Sequence, residues 1–451
     1  MMSGWVDDSN APLLTDLYEL TMLQSYFDHG MNGEAVFDLF VRRLPPERNY
    51  LIACGLEHVL HYLENLSFSA AAIDYLRSLD RFTDPFLNSL AEFRFTGEVY
   101  AVPEGSVVFA NEPIVEIIAP IPQAQLVETF VMNQIQLPTL AASKAARVVH
   151  AAAGRPVVDY GLRRIHGADA GLKAARAFYI AGVDATSNVL AGEIYGIPVS
   201  GTMAHSYVQA CASELRAFRQ FVRSFPTGTL LIDTYDTLEG ARNVIRLAHE
   251  MGNEFRVQSV RLDSGDLDIL SVQVRRLLDD AGLSHIKIVA SATLDEHAIQ
   301  KLLSAGAPID GFGVGVKMGT SEDVPYLDTV YKLAEYEHQP KMKLSTEKST
   351  LPGRKQVYRQ FKGGLAAGDV IGLWEEELAG QPLLVKVMEG GRRLGKPDSI
   401  QECRGRRHIS QTTLPNMLRE ISRADPAYHV SISAQLTQLQ QEAREHILRT
   451  L

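Results

Sequence analysis

Cysteine is scarce in this 451-residue chain. The three cysteines, Cys54, Cys211 and Cys403, are odd in number and lie far apart in the sequence. This pattern excludes a disulfide framework of the secreted type, and three scattered cysteines cannot form a four-cysteine zinc site. The cysteine content therefore predicts a protein of the reducing cytoplasm.

Positive charge and long apolar runs are also in short supply. Lys and Arg together number 44 against 54 Asp and Glu, which gives a formal net charge of -10. A protein with this balance lacks the broad positive field that nucleic acids and anionic membranes attract. No stretch approaches the roughly 18 uninterrupted apolar residues of a membrane span, and the N-terminus does not resemble a signal peptide. We expect a soluble protein with neither a nucleic-acid nor a membrane partner.

The remaining composition is that of a globular protein with more than one structural unit. Hydrophobic residues make up 46% of the chain, and its length exceeds what one compact core usually holds. Leucines spaced three and four apart predict a first helix, with Thr15 as N-cap and Gly30 at its end. Alternating runs between Phe95 and Ile121 predict antiparallel strands. We therefore expect an α+β N-terminal domain over residues 1–132.

The middle of the chain has a different pattern. Over residues 133–339, short apolar runs lead into polar or glycine residues and then usually into helical stretches; the runs are PVVDYG, AGVDATSN, IPVSGTMAH, TLLIDTYD, VQSVRLDSGD, IKIVASAT and IDGFGVGVK. Runs that are apolar on both faces and alternate with helices are typical of a parallel sheet. Their spacing of about 27 to 30 residues from Leu231 onward favours a closed or nearly closed (β/α) barrel. A doubly wound open sheet is the alternative.

The last part of the chain, residues 340–451, is loop-rich at first and basic. Between Lys341 and Arg407 there are 14 Lys plus Arg against 8 Asp plus Glu. Such an excess is suited to facing a polyanion. Apolar residues at helical spacing near the C-terminus predict a final packing helix.

The predicted strand ends of the middle region carry polar side chains, namely Arg163, Ser187, His205, Asp233, Arg261, Asp263 and Ser291. In a parallel barrel the active site lies at the C-terminal ends of the strands. A single Asp or Ser at such a place is more often a helix cap. Seven polar ends that converge on one face favour an active site over seven independent caps.

The segment GFGVGVKMGTS, residues 311–321, places glycines at alternate positions. Backbone N–H groups can approach a phosphate there without obstruction by side chains, although a tight turn explains the same pattern. The segment does not match the dinucleotide fingerprint, because Val316 stands where its third glycine is required.

Three further segments carry groups suited to a phosphorylated or heterocyclic ligand. DYGLRR, residues 159–164, offers an aromatic ring beside two guanidinium groups, or else an ordinary surface loop. RLDSGD, residues 261–266, combines a cation with carboxylates, which can also form an internal ion pair. GTMAHS, residues 201–206, surrounds His205 with small residues, although a lone histidine is more often structural. LIDTYDT lacks the two adjacent carboxylates of the Rossmann-like phosphoribosyltransferases, so only Asp233 is retained as a candidate there.

Taken together, the motifs resemble the nicotinate phosphoribosyltransferase family. The similarity covers about four fifths of the chain and runs through TDLYELTM, FDLFVRRLP, DYGLRRIHGADAG, TSNVLAG, GIPVSGTMAHS, LIDTYDT, VRLDSGDL, GFGVGVKMGTS and TLPGRKQVYR. GTMAHS and RLDSGDL are specific in combination rather than singly. SATLDE departs from the family, because Ala292 and Thr293 stand where Gly or Asn followed by Asp is frequent.

The resemblance implies a fold and an activity. The fold would be an irregular (β/α) barrel with a mixed α+β domain formed from N-terminal and C-terminal chain, in a homodimer with shared active sites. The activity would be formation of nicotinate mononucleotide and pyrophosphate from nicotinate and phosphoribosyl pyrophosphate, a salvage step of NAD biosynthesis. Mg²⁺ and coupled ATP hydrolysis are implied as well.

The resemblance also implies roles for individual residues. His205 would be the phosphohistidine and Asp263 a catalytic group that contacts ribose. The nicotinate-binding residues would be Tyr18, reaching across the dimer, and Tyr160, Ser187, Thr202 and Arg261. The phosphoribosyl pyrophosphate site would use Arg163, Asp263, Gly313, Gly315 and Thr320. No metal ligand is predicted.

Two alternatives follow from the residues. The same transfer to nicotinamide is disfavoured, because Arg261 suits an anionic substituent and Ser187 offers no carboxylate to an amide N–H. A nucleotide- or RNA-binding protein without catalysis would use the basic C-terminal segment, and its binding would weaken steeply with salt. The net negative charge makes this second alternative improbable.

Overall fold

The computed structural model describes residues 6–345 and 350–450. Its helices are α1 (Leu17–Asp28), α2 (Leu56–Asn65), α3 (Ala70–Ser78), α4 (Asp84–Ser89), α5 (Ile121–Leu126), α6 (Glu128–Ala151), α7 (Ala168–Ile180), α8 (Val189–Tyr195), α9 (His205–Gln209), α10 (Glu214–Ser224), α11 (Thr237–Met251), α12 (Leu267–Asp280), α13 (Glu296–Ser304), α14 (Val316–Gly319), α15 (Ile400–Thr412), α16 (Asn416–Arg419) and α17 (Ala434–Thr450). Short 3₁₀ helices lie at Ala11–Leu13, Leu90–Glu92, Leu162–Arg164 and Gly252–Glu254.

The strands are distributed along the whole chain. They are β1 (Glu34–Val41), β2 (Leu51–Ile52), β3 (Glu98–Ala101), β4 (Val107–Val108), β5 (Pro113–Pro120), β6 (Val157–Asp159), β7 (Ala185–Thr186), β8 (Thr229–Leu231), β9 (Ser259–Leu262), β10 (Lys287–Ala290), β11 (Gly311–Val314), β12 (Thr329–Tyr336), β13 (Gln339–Pro340), β14 (Lys355–Lys362), β15 (Leu365–Leu373), β16 (Gln381–Pro382), β17 (Val385–Glu389), β18 (Arg392–Arg393) and β19 (Val430–Ile432).

The chain divides into two compact units. Unit 1 is formed by the described residues up to Leu140 and from Tyr326 onward, and unit 2 is Ala141–Pro325. In the described part of unit 1 a seven-stranded sheet has the order β13-β12-β1-β5-β3-β17-β18, so three N-terminal strands form its centre and C-terminal strands flank them on both sides. A four-stranded sheet, β16-β14-β15-β19, and the β2-β4 pair complete the strands of this unit.

Unit 2 contains a parallel sheet. Its order is β7-β6-β11-β10-β9-β8, and all of the pairings among the described strands are parallel. The strand cores are fully buried aliphatic residues such as Leu231, Val260, Ile288 and Val314. Helices follow the strands along the chain, which is the alternation expected of a parallel sheet with short connections. The sequence-based expectation of parallel strands over this region is confirmed.

The closed barrel is not confirmed. Of the seven apolar runs, IPVSGTMAH contains no named strand, and its pairing is limited to a single parallel bridge between Thr186 and Val199. In the described residues the sheet ends at β7 on one side and β8 on the other. A proline and two glycines in or beside this run weaken its strand preference, so the chain crosses the strand ends as a loop.

A buried ionic cluster lies in unit 2. The Glu296 carboxylate, at the start of α13, is fully buried and lies 2.6 Å from Lys144 Nζ and 2.7 Å from Arg147 Nε. Lys144 Nζ is also 2.8 Å from Asp323 Oδ1. Burial by itself favours the protonated acid, but the two cations outweigh it and lower the pKa of Glu296. The cluster connects α6 to α13 with charges that have little access to water.

Helix α1 begins one residue later than the sequence indicates. Asp16, not Thr15, has the extended conformation of the N-cap residue, and Gly30 just beyond the helix adopts φ 63° as expected for a helix end. Leu20 and Leu23 are buried, whereas Tyr18 is 48% exposed. The helix thus buries one narrow stripe and presents Tyr18 outward.

Glu19, beside Tyr18, gives a testable pH dependence. Its carboxylate is fully buried and Oε2 accepts a hydrogen bond from Gln125 Nε2 at 2.8 Å. Burial raises the pKa of Glu19 from 4.5 to about 7. Because the folded state then holds this proton more tightly than the unfolded chain, the stability linked to it is present below pH 4.5 and lost as the pH rises through about 7.

We expect Glu19→Gln to remove this loss. Glutamine cannot ionise and can still accept from Gln125, so the variant should match the parent at pH 5 and melt a few degrees higher at pH 8. Thermal denaturation at a series of pH values measures the difference. The exposed Glu34→Gln serves as control, and parallel pH curves for parent and Glu19→Gln would contradict the expectation.

Candidate functional site

Two neighbouring cavities open at the C-terminal ends of the parallel strands of unit 2. The first, about 370 Å³, is lined by Ser187, residues 201–205 and Leu162; the second, about 250 Å³, is lined by Arg164, residues 291–294, residues 315–317 and Glu322. Tyr160, Arg163, Arg261 and Asp263 line both cavities. We call them the histidine cavity and the glycine-turn cavity. Their shared wall places two guanidinium cations, a carboxylate and an aromatic ring between them.

Most of the polar strand ends converge here, and none of the seven serves as a helix N-cap. The N-caps of α8, α11 and α13 are instead Asn188, Asp236 and Asp295, whose side chains accept from backbone N–H groups. The explanation of the strand ends as helix caps is therefore wrong for the predicted set. The capping function falls on residues one to four positions further along the chain.

Arg261 is the most constrained side chain of the site. Its Nε donates to Ser291 Oγ at 2.6 Å, and Nη1 donates to Thr202 Oγ1 at 2.6 Å and to the Met203 carbonyl at 3.3 Å. Nη2 lies 3.1 Å from Asp263 Oδ1. Since a guanidinium has five N–H donors, a ligand finds at most one of them uncommitted. A carboxylate that binds Arg261 through two parallel hydrogen bonds must therefore displace at least one of these four acceptors.

Asp263 is held from three directions. Its backbone N–H donates to Asp233 Oδ2 at 2.8 Å, and Ser264 Oγ donates to the same oxygen at 2.6 Å. Ser291 Oγ donates to Asp263 Oδ1 at 2.6 Å. Asp233 is buried, so its carboxylate fixes the turn after β9 rather than facing a ligand. Asp263 thereby presents Oδ2 to the histidine cavity.

His205 lies on the opposite side of Asp263 from Arg261. Its Nε2 is 3.6 Å from Asp263 Oδ2, which is an ion-pair distance and too long for a hydrogen bond. Its Nδ1 is 3.2 Å from Thr234 Oγ1, and this contact orients the ring. The side chain is 40% exposed, so a ligand in the cavity can reach it.

Tyr160 and Gly313 form a matched pair. The Arg261 guanidinium carbon lies 5.6 Å from the centre of the Tyr160 ring, an arrangement suited to a cation–π interaction. A Cβ on Gly313 would lie 2.4 Å from the Tyr160 ring and 3.0 Å from Ser291 Cβ. The glycine thus makes room for the tyrosine ring. Gly313 does not line either cavity, and its role in phosphate binding stays a prediction.

Of the remaining predicted residues of unit 2, some line a cavity and one does not. Arg163 lines both cavities, Ser187 lines the histidine cavity and Gly315 lines the glycine-turn cavity. Thr320 lines neither of them; its Oγ1 donates to the Val316 carbonyl at 2.9 Å, at the end of α14. Phosphate binding by Thr320 would require that hydroxyl to change partners.

Comparison with known proteins identifies the family. The family model for the nicotinate phosphoribosyltransferase (NAPRTase) N-terminal domain matches residues 13–136, and the nicotinate phosphoribosyltransferase family model matches residues 156–362. A nicotinate phosphoribosyltransferase of Mycobacterium tuberculosis is 51% identical over 422 residues, which are 93% of this chain and 91% of the relative. The chain belongs to the nicotinate phosphoribosyltransferase family.

Two further relatives agree. The nicotinate phosphoribosyltransferase of Bacillus subtilis is 43% identical over 391 residues, covering 84% of this chain and 80% of the relative. The crystal structure of the human nicotinic acid phosphoribosyltransferase superposes with a TM-score of 0.85 at 29% identity, over 95% of this chain and 99% of that one. The family resemblance inferred from the motifs is confirmed.

Tyr18, like Gly313 and Thr320, is a predicted family residue that does not line either cavity. It lies on α1 in unit 1, and the described residues that line the two cavities all belong to unit 2. Its predicted role in nicotinate binding therefore stays a prediction.

Sequence reasoning missed several residues that line the glycine-turn cavity. They are Arg164, Lys317 and Glu322, together with residues 292–294. The signal for Lys317 was present, because it lies two positions after Gly315 in the glycine segment that already suggested an anion site. Arg164 is one of the two guanidinium groups of DYGLRR, but the family resemblance implied a role only for Arg163.

The described residues contain no group of three or more His, Cys, Asp or Glu side chains arranged to hold a metal ion. This is compatible with Mg²⁺, which in phosphate-processing sites usually binds through one or two carboxylates, water and substrate phosphates. Asp263 is the carboxylate shared by both cavities. Among the described residues, no helix has the length and apolarity needed to cross a bilayer.

Proposed function

We propose that this protein joins nicotinate to phosphoribosyl pyrophosphate, forming nicotinate mononucleotide and pyrophosphate, as a salvage step of NAD biosynthesis coupled to ATP hydrolysis. The observation that supports it is the position of Arg261 and Tyr160 in the wall between the two cavities. A flat anion that binds this wall has a histidine on one side and a glycine turn on the other. That is the arrangement needed to bring an acidic heterocycle to a sugar phosphate.

The nicotinate site would use the groups around Arg261. The ring would stack on Tyr160, and the carboxylate would take the uncommitted Arg261 N–H and the Thr202 hydroxyl after that hydroxyl turns away from Arg261. Ser187 lines the same cavity and carries no charge. Nicotinamide would be bound less well, because its neutral amide gains no ion pair with Arg261.

The phosphoribosyl site would extend across Asp263 into the glycine-turn cavity. Asp263 would accept hydrogen bonds from ribose hydroxyls, Arg163 would neutralise phosphate charge, and the backbone at Gly313 and Gly315 with Thr320 would bind the phosphate at the end of the sugar. Mg²⁺, when bound, would neutralise charge on the pyrophosphate, with Asp263 as the protein carboxylate near it.

The chemistry requires positioning more than proton transfer. The bond from the anomeric carbon to the pyrophosphate oxygen breaks while the pyridine nitrogen supplies its lone pair to that carbon, and positive charge develops on the ribose ring. Nicotinate reacts through a nitrogen that carries no proton, so no general base is needed. Asp263 lies where its carboxylate would stabilise the developing cation, and Tyr160 and Arg261 would hold the ring nitrogen in line.

His205 would carry the ATP coupling. ATP would transfer its γ-phosphoryl group to the ring nitrogen facing Asp263, releasing ADP, and water would later cleave the phosphohistidine to phosphate. Phosphorylation would place new negative charge beside Asp263 and within reach of Arg163, which lines the same cavity. That charge change would reorganise the phosphate-binding groups in favour of product formation.

We expect His205→Ala to abolish the stimulation by ATP while leaving slow ATP-independent synthesis of the mononucleotide. The variant lacks the phosphoryl acceptor but retains Arg261, Tyr160 and Asp263. Product formation measured with and without ATP, together with ADP release, checks this. His249→Ala, an exposed change on α11, is the control, and ATP stimulation that survives in His205→Ala would remove the proposed role.

We further propose a homodimer in which Tyr18 of one subunit covers the nicotinate site of the other. We also propose that the parallel sheet of unit 2 is part of the irregular (β/α) barrel of the family. The outward position of Tyr18 on α1 supports the homodimer, since an exposed aromatic at a helix start is available to a second subunit.

The deciding experiment is an assay of the purified chain with nicotinate, phosphoribosyl pyrophosphate, Mg²⁺ and ATP. Mononucleotide and pyrophosphate should appear in equal amounts, and nicotinamide in place of nicotinate should give a far slower reaction. No product with nicotinate under varied salt and pH, or faster product formation with nicotinamide, would overturn the proposal.

A further inference from the structure

Lys317 lines the glycine-turn cavity and has no part in the function proposed above. Its Nζ lies 2.8 Å from Asp295 Oδ2 and 3.9 Å from Glu322 Oε2. The Lys317 side chain is 29% exposed and that of Asp295 is 17% exposed. The pair therefore lies at the edge of the cavity, where a ligand could reach the ammonium group.

The two oxygens of Asp295 have separate functions. Oδ1 accepts the hydrogen bond from the Ala298 backbone N–H at 2.8 Å and caps α13, whereas Oδ2 accepts from Lys317 Nζ. Although burial favours the protonated acid, the hydrogen bonds from Lys317 and Ala298 lower the pKa of Asp295. Lys317 can leave Asp295 without disturbing the cap, because the cap depends on the other oxygen.

The charges of the cavity favour an anionic ligand. Its wall carries Arg163, Arg164, Arg261 and Lys317 against Asp263 and Glu322. Arg261 is committed to Asp263, Ser291 and Thr202. Lys317 is different, since its principal partner lies at the rim and can be exchanged. Lys317 lies two residues beyond Gly315, and its flexible side chain allows the ammonium group to move towards a phosphate that enters the cavity.

We propose that Lys317 binds the terminal 5-phosphate of the phosphoribosyl ligand, and that Asp295 holds the lysine aside until this phosphate arrives. The inference rests on the proposed function for the identity of the ligand, but it adds a residue and a partner exchange to it. In the free protein the ion pair with Asp295 competes with the phosphate. Substitution of Lys317 and substitution of Asp295 must then have opposite effects on the affinity for a ligand that carries the phosphate.

A purely structural ion pair makes a different prediction. If Lys317 and Asp295 only connect α14 to α13, both substitutions lower the melting temperature and neither distinguishes ligands with and without phosphate. The decisive result is therefore whether the Lys317 and Asp295 substitutions change the affinity for the phosphorylated ligand in opposite directions.

The experiment measures binding of nicotinate mononucleotide and of nicotinate riboside, which lacks the phosphate, by calorimetry. Lys317→Met should weaken mononucleotide binding by about tenfold, the cost of losing one charge-assisted contact. Asp295→Asn retains the cap through its amide oxygen but loses the ionic competitor, and it should tighten mononucleotide binding by about threefold. Riboside affinity should not change in either variant. Lys301→Met, an exposed change on α13, is the matched control.

Equal effects on the two ligands, or weaker mononucleotide binding in both variants, would overturn the role of Lys317. Failure of the parent protein to bind the mononucleotide at all would count against the proposed function instead. The melting temperature of each variant, measured beside the affinity, separates loss of folding from loss of the contact.

Discussion

Replacing Arg261 by lysine is expected to lower kcat/KM for nicotinate by about 10² to 10³-fold. Four N–H groups of this guanidinium are directed at Ser291, Thr202, the Met203 carbonyl and Asp263. An ammonium group has three donors and one centre, so it cannot satisfy these acceptors and a substrate carboxylate together. Steady-state kinetics with nicotinate as the varied substrate measures the loss.

The form of the loss is informative as well as its size. Because Arg261 is proposed to bind nicotinate and its Nη2 lies 3.1 Å from Asp263 Oδ1, we expect the KM for nicotinate to rise and kcat to fall. Activity with nicotinamide, which forms no ion pair, should fall less. The ratio of kcat/KM for nicotinate to that for nicotinamide should therefore decrease. Arg276→Lys, an exposed change on α12, is the control. Retention of full nicotinate activity in Arg261→Lys would show that the carboxylate binds elsewhere.

Replacing Glu296 by alanine is expected to destabilise unit 2 by about 3 to 5 kcal/mol. The carboxylate is fully buried and is the partner of both Lys144 and Arg147, at 2.6 Å and 2.7 Å. Its removal leaves two buried cations between α6 and α13 with less negative charge beside them, although Asp323 Oδ1 remains 2.8 Å from Lys144 Nζ. The cost lies in the uncompensated charges rather than in the loss of a favourable pair.

Chemical denaturation followed by circular dichroism measures this effect as a shift in midpoint. Glu322→Ala, which removes an exposed carboxylate of the same charge, should change the midpoint little. A Glu296→Ala protein that unfolds at the parent midpoint would show that water enters the cluster and solvates the two cations.

For the residues of the candidate site, the sequence predicted the position along the chain but not the contacts. Arg261 lies within β9 between the buried residues Val260 and Leu262, and Asp263 follows the strand directly. Their place at a strand end is therefore a local property. The commitment of Arg261 to Ser291 and Thr202 is not local, because it depends on the register of β9 against β10 and on the path of a loop 59 residues away.

The glycine segment shows the same division. Alternate glycines at residues 311–315 indicate that another group approaches the backbone closely, and the sequence suggested a phosphate as that group. At Gly313 the group that approaches is the Tyr160 ring, since β6 and β11 are neighbours in the sheet. A missing side chain indicates that space is needed, but only the neighbouring strand determines what fills it.

The sequence by itself determined the family, the alternation of strands and helices in the middle region, and most of the polar residues that line the two cavities. These depend on local periodicity and on side-chain chemistry, which are both written along the chain. Only the tertiary structure decided that the described parallel sheet ends at β7 and β8, that Arg261 has one N–H to spare, and that Asp295 holds Lys317 at the cavity edge. Those features arise from distances between residues far apart in sequence, which local patterns do not specify.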